Sequence, residues 1–390
     1  MRIHELALGG LLATNALGAS AVAAPVQTVF VIAMENHNFT QPPSDTSPAQ
    51  ILGNPAAPYV NSLITPGNTN AAMTSFATNY QNAAAGVHPS EPNYIWAEAG
   101  SNLGNATDAD PSPANGNVYN VPHLTGLMQQ KGVSWKSYQE DTNMNFATNT
   151  ALPQSQWTVP LASQSGVNSG YTNPYNGSHQ YNYAPKHDPQ VFFSDTNNPG
   201  SVSHYAPLQQ LSTDLANNTV AQYNWITPDQ YNDMHSSLSG GFTYKGVTYT
   251  GDQAAIAEGD NFLSLIVPQI EASQAFKNNG AIVLWWDESE GGDGPQYTIP
   301  EIIISPDAKG NAYSNAIDYT HSSDLLTMEA IFQLGQCVGG SCSANSLADL
   351  FQPGAIPSAV PEPASLGLLG IGVLGLFVAS RRHTGALRLA

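Results

Sequence analysis

Charge is scarce in this chain, and positive charge most of all. Lysine and arginine together number 10 in 390 residues against 29 aspartates and glutamates, a formal net charge of −19. Nucleic-acid binding rests on cationic side chains that neutralise phosphates, so a chain this acidic is not built for a nucleic-acid partner. The same shortage argues against a pocket for highly anionic substrates, although a bound metal ion reverses the field locally. Cysteine is nearly absent: Cys337 and Cys342 are the only two, and they cannot make a zinc site alone. With two glycines between them they are able to close a small disulfide loop, which suits an oxidising compartment; the alternative is two reduced, buried thiols. No serine sits in a Gly-x-Ser-x-Gly elbow, so acyl-transfer hydrolysis has no support. No internal repeat is visible. What is present is a hydrophobic fraction of 41%, enough for one large core or two ordinary ones, with a polar surface drawn from Asn, Ser, Gln, Thr and Tyr.

Both ends read as addresses. Arg2 precedes an apolar stretch from Leu6 to Val22 that closes in small residues, a secretory signal cut by signal peptidase near Ala23 or Ala24. At the far end Val360-Pro361-Glu362-Pro363-Ala364-Ser365 leads into an apolar run from Leu366 to Ala379 and then Arg381-Arg382. That run is marginal for crossing a bilayer, and the arginines are a cytoplasmic stop. The pattern resembles the PEP-CTERM sorting tag of Gram-negative bacteria. The resemblance implies recognition by an exosortase, removal of the tail and release to the cell surface or extracellular matrix. Membrane contact is then transient and through the tail only; the alternative is a plain single-pass anchor. The expected organisation is a signal over 1–24, a body over 25–351, a Pro/Ala/Gly/Ser linker over 352–359 and the tag over 360–390.

Within the body, continuous apolar runs mark strands buried on both faces of a parallel sheet: Thr28–Met34, Ala221–Ile226, Ala281–Trp286 and Glu301–Ile304. Helical patterns fall at Pro122–Lys131, Gln253–Ser273 and Ser322–Leu334. Alternation of the two indicates an α/β fold, a mostly parallel sheet between helices. The stretch from Asp141 to Tyr205 is rich in Asn, Ser, Gln, Tyr and Pro without periodicity, and is expected to be an irregular insertion over the site.

Two of the strands end in acid. Met34 is followed by Glu35-Asn36-His37, and Trp286 by Asp287-Glu288. Ligands of open α/β sheets lie at the carboxyl ends of strands, so these clusters are a candidate metal site. In His88-Pro89-Ser90-Glu91-Pro92-Asn93, two prolines bracket Ser90 and place it on a stiff, non-helical turn. A hydroxyl held beside a metal is a nucleophile; the other reading is a helix N-cap. Asp229, Asp233 and His235 offer two carboxylates and an imidazole within seven residues, as metal ligands or as a solvated loop. His321 precedes a helix as a further corner or a loop histidine, and His187 is weaker still.

In order, Met34–Phe39, His88–Tyr94, Ser134–Tyr138, Asn232–His235, Trp286–Glu288 and Thr320–Ser322 resemble the phosphoesterase family of acid phosphatases and phospholipases C within the alkaline phosphatase superfamily. The resemblance implies an alkaline-phosphatase-like sheet and a divalent metal ion, with zinc, manganese, calcium or iron all open. It implies Glu35, Asn36, Asp287, Glu288, Asp233 and His321 around the metal, and Ser90 as nucleophile. Asn93 would steady phosphoryl oxygens, His235 or His88 would supply the leaving group's proton, and His88 and His187 would contact substrate. Glu288 stands where two-zinc members usually have histidine, and position 36 is Asn, which weakens the case for two zincs. The expected activity is hydrolysis of phosphate monoesters through a phosphoserine. The alternatives are a phosphodiesterase or phospholipase C, or a non-catalytic surface matrix protein on the same fold.

Overall fold

The computed structural model describes residues 23–159 and 162–358, so the sorting tag and nearly all of the secretory signal lie outside the described residues. Eight strands form the central sheet: β1 (Thr28–Met34), β2 (Thr74–Ala77), β3 (Trp135–Gln139), β4 (Tyr205–Pro207), β5 (Tyr223–Thr227), β6 (Gly280–Trp286), β7 (Glu301–Ile304) and β8 (Tyr313–Asn315). Their spatial order is β8-β2-β7-β6-β1-β5-β3-β4. Only β7 runs against its neighbours β6 and β2; every other pairing is parallel. The two most apolar strands, β1 and β6, lie side by side in the middle, in register from Thr28 with Gly280 to Met34 with Trp286. They are buried because both faces are covered, which is why their sequences show no polar alternation.

Among the described residues there are seven helices, α1 (Pro58–Leu63), α2 (Ser90–Ala99), α3 (Leu124–Lys131), α4 (Gln209–Asn217), α5 (Asp252–Glu271), α6 (Gln274–Lys277) and α7 (His321–Ile331). On one face Val31, Trp225, Val283 and Trp285 meet Ala97 of α2, Leu124 of α3 and Leu325 and Met328 of α7. On the other, α5 comes so close that a Cβ at Gly259 would lie 2.3 Å from Met234 Cγ and 3.0 Å from Met34 Cε. That contact presses the loop after β5 against the end of β1. The carboxylate of Asp260 on α5 accepts the Tyr59 and Val60 amides at 2.9 and 2.8 Å, capping α1, which has no capping side chain of its own.

The four expected strands and three expected helices are present with ends shifted by a few residues at most. β2, β3, β4 and β8 were not anticipated: they are short, and β3 interrupts its apolar pattern with Lys136, whose amine reaches Asp214 at 2.8 Å. The described residues of the inserted segment include two small hairpins and short 3-10 turns before the chain returns as β4. Cys337 and Cys342 form a disulfide, Cα atoms 5.2 Å apart, so the reduced-thiol alternative falls.

A buried charge cluster fixes the helix that begins at Ser90. His123 bonds Glu98 of α2 at 2.7 Å and Asp195 of the insertion at 2.9 Å, with its side chain only 1% exposed. Burial alone would lower the imidazole pKa, but the two carboxylates outweigh it and raise the value to about 9. A folded pKa above the unfolded 6.5 contributes stability that is complete below pH 6.5 and lost as pH rises through 9. We expect thermal unfolding from pH 6 to 10 to reveal at most about 3 kcal/mol of such loss. His123→Gln should flatten that part of the profile; parallel profiles for variant and wild type would refute the assignment.

Candidate active site

The carboxyl ends of β1, β5 and β6 converge with the start of α2. Asn36 adopts φ 47°, a left-handed conformation that asparagine tolerates. This turns its N–H onto Asp287 Oδ1 at 3.0 Å. The Glu35 N–H donates to Asp233 O at 2.8 Å, and the Asp287 N–H to Met34 O at 3.2 Å. Three strand-end loops are thereby tied by backbone before any side chain acts.

Ser90 is neither on a non-helical turn nor a capping residue. It is the first residue of α2, after Pro89 at the cap position, where no side chain caps the helix. Pro92 lies in the first turn, where the missing N–H would have had no intrahelical partner, so the flanking prolines permit the helix. Ser90 Oγ is free of capping duty and points into acceptors: Glu35 Oε2 at 3.0 Å, Asn36 Oδ1 at 3.3 Å and Glu288 Oε1 at 3.4 Å. Three and four residues on, the same helix face carries Asn93 and Tyr94. Asn93 Nδ2 donates to Glu288 Oε2 at 3.2 Å and to Val87 O at 3.1 Å, while its Oδ1 is buried without a partner. The Tyr94 hydroxyl donates to Glu35 Oε1.

Glu35, Asp233 and Asp287 are fully buried. Burial first, then the neighbouring carboxylates, holds all three well above the usual carboxylate range. Asp233 Oδ2 and Asp287 Oδ2 have no hydrogen-bond partner. His187 lies against this group, Nε2 at 3.4 Å from Glu35 Oε1 and Nδ1 at 3.7 Å from Asp233 Oδ2, its ring stacked on Tyr94. Burial, then His235 and Lys186, lowers its pKa and keeps the imidazole neutral. Glu35, His187 and Asp233 each offer one ligand atom, all within 4.8 Å of one another. Orphaned carboxylate oxygens beside a neutral imidazole fit a divalent cation.

His88 is a bridge: Nδ1 is 2.6 Å from Glu288 Oε2 and Nε2 is 2.9 Å from Asp293 Oδ1. The Glu288 bond raises it to about 9, against the opposing effect of burial. Both of its nitrogens are therefore engaged. His321 is engaged too, with Nδ1 2.6 Å from the Tyr80 hydroxyl and Nε2 on the backbone carbonyl of Asp287. It stands behind Asp287 and offers no free nitrogen to a cation. His235 donates its backbone N–H to Asp233 Oδ1 at 2.8 Å, and its ring lies 6.0 Å from that of His187. Its Nδ1 meets Ser236 Oγ at 3.0 Å. Asp233 faces Glu35 and His187, whereas Asp229 turns away into a group with Glu140 and Asp141. Tyr94 was missed by sequence reasoning, though its position four residues after Ser90 on a helix was a usable signal.

Comparison with known proteins identifies the family. The model of the phosphoesterase family matches residues 67–335, and that of the PEP-CTERM protein-sorting motif matches residues 359–382, which implies recognition by an exosortase. A phosphatidylinositol-3-phosphatase of Mycobacterium tuberculosis is 28% identical over 89% of this chain and 94% of its own length. An acid phosphatase of Aspergillus fumigatus is 27% identical over 68% of this chain, and a probable acid phosphatase of Kluyveromyces lactis 25% identical over 66%. The chain spans about half the length of these fungal relatives, 51% in both. A protein of the alkaline phosphatase superfamily from Vibrio parahaemolyticus superposes with a TM-score of 0.45 at 10% identity, over 84% of this chain and 72% of that one. With the family model covering residues 67–335, more than half of its 390 residues, this chain belongs to the phosphoesterase family and is a phosphoric ester hydrolase.

Proposed function

We propose that the chain hydrolyses phosphate monoesters, with Ser90 as nucleophile and a phosphoserine intermediate. One observation carries this reading: the Ser90 hydroxyl lies within 3.0 to 3.4 Å of Glu35, Asn36 and Glu288, in a nest of acceptor oxygens. Glu35, Asn36, Asp287, Glu288 and Asp233 would hold a divalent cation, with His187 facing Glu35 and Asp233 as a further donor. Such a cation supplies Lewis-acid charge that lowers the pKa of a hydroxyl and offsets charge on the phosphoryl group.

The chain's own groups do the rest. Ser90 Oγ attacks phosphorus in line as the bond to the leaving oxygen breaks, and Glu35 or Glu288 accepts the serine proton. Asn93 shares its Nδ2 between Val87 and Glu288 and so fixes Glu288 against Ser90; it reaches a phosphoryl oxygen only by releasing Glu288. His235, with no hydrogen bond to its Nε2 among the described residues and a pKa lowered by burial, is the group placed to take a proton from acidic solvent and deliver it to the leaving alcohol. Water then cleaves the phosphoserine. The chain's relatives, a phosphatidylinositol-3-phosphatase and acid phosphatases, support the monoester reading. We place the activity after export, at the cell surface or in the matrix of a Gram-negative bacterium, with membrane contact confined to the tail.

The test is a substrate panel: p-nitrophenyl phosphate, bis(p-nitrophenyl) phosphate and phosphatidylcholine vesicles, each with and without EDTA. The expected result is a kcat/KM for the monoester at least about tenfold above the diester, a discrimination of about 1.4 kcal/mol in the transition state. The reverse order would make the protein a phosphodiesterase or phospholipase C. Turnover of none of the three would favour a matrix protein that has kept the fold alone.

A further inference from the structure

We infer that Glu140, Asp141 and Asp229 form a second cation site, separate from the Ser90 centre and suited to a hard divalent ion of the calcium class. The three carboxylates stand at the ends of β3 and β5, are fully buried, and bring one oxygen each within 4.8 Å of the others. Neutral donors occupy part of the set. Glu140 Oε1 accepts Asn173 and Asn232 at 2.8 and 2.9 Å, and Glu140 Oε2 accepts the Asp229 amide at 2.9 Å. Asp141 Oδ1 accepts the Tyr171 hydroxyl, and Asp229 Oδ1 the amides of Tyr231 and Asn232. Two oxygens are left over: Asp141 Oδ2 and Asp229 Oδ2 are buried and meet no N–H or O–H donor, and the two carboxylates lie within hydrogen-bond reach of each other, able to share a proton or a cation. No lysine, arginine or histidine pairs with any of the three among the described residues.

An orphaned buried carboxylate oxygen costs far more than a solvated one, so two of them facing a third carboxylate call for a cation or for shared protons. The donor set is all oxygen, which selects a hard ion over zinc. The site would join the insertion, through Tyr171 and Asn173, to the loop from Asp229 to His235. Asp229 O accepts the amide of Asp233 at 2.9 Å, so the ion would brace the backbone that presents Asp233.

The test uses the Asp287→Asn protein, in which the Ser90 centre is disabled as a cation site, dialysed against EDTA and titrated with calcium chloride. Calorimetric titration should find one ion per chain, and Tm should rise by about 5 °C at saturating calcium. In Asp287→Asn/Asp141→Asn that rise should vanish, while the cation-free Tm does not fall, since asparagine removes a buried charge. Should the double variant not fold, terbium emission sensitised through Tyr171 and displaced by calcium is measured on Asp287→Asn itself. Absence of calcium binding and of sensitised emission, or a Tm response that survives Asp141→Asn, would overturn the site and leave three carboxylates sharing protons.

Discussion

Ser90→Ala is expected to lower kcat on p-nitrophenyl phosphate by about three orders of magnitude or more, the scale of losing a nucleophile that splits one hard step into two. The loss should fall on kcat, because alanine leaves Glu35, Asn36 and Glu288 in place to hold whatever they hold in the wild type. Stability should change little. Ser90 makes no capping bond, so α2 loses nothing at its start, and removing Oγ withdraws one donor from a group that still has the Tyr94 hydroxyl and the Asn93 amide. The discriminating measurement is acid-quenched labelling: wild type briefly exposed to labelled substrate should carry phosphate on Ser90, and the variant none. A variant with full turnover would remove Ser90 as nucleophile while leaving the family assignment intact. A variant with low turnover but a matching fall in Tm would mean only that α2 had been displaced.

What the sequence discloses follows from how locally each feature is determined. β1 and β6 are continuous apolar runs because both faces are covered, and a parallel pair in full register brings Glu35 and Asp287 to one end. That much is readable from two short words. Ser90 was ambiguous because its local chain is equally a helix start; what decides its role is contact with Glu35 and Glu288, 55 and 198 residues away. His187 comes from a segment with no period, and only its stacking on Tyr94 aims it at Glu35. Asp229 and Asp233 are four residues apart in a loop, where spacing does not dictate direction, and they face different clusters. Glu140 and Asp141 passed unnoticed because the strand before them, with Lys136, Ser137 and Gln139, does not look buried. His321 matched a metal position by word, yet its neighbours Tyr80 and the Asp287 carbonyl, invisible in its own segment, take both ring nitrogens.

On the proposed reading, EDTA should abolish hydrolysis and Asp287→Asn should cripple it, while the two move stability in opposite directions. Asp287 Oδ1 already accepts the Asn36 amide, and Oδ2 is the buried oxygen with no partner. Burial, then the charge of Glu288, holds the Asp287 carboxyl well above its usual range. A folded pKa above the unfolded one favours folding at low pH and withdraws that support as pH rises. The cation-free wild type should therefore unfold more readily at pH 8 than at pH 5, and a saturating divalent ion should restore about 2.7 kcal/mol at a hundredfold excess over Kd. Asp287→Asn keeps an acceptor for the Asn36 amide and deletes the repelling charge, so in EDTA it should be at least as stable as wild type. The same substitution should cost two or more orders of magnitude in kcat/KM, about 2.7 kcal/mol or more of transition-state stabilisation. Stability gained where activity is lost is the signature of a carboxylate held in an unfavourable place for its ligand. An Asp287→Asn protein that is simply less stable, with or without EDTA, would mean that Asp287 is a structural acid and that the reactive centre lies elsewhere.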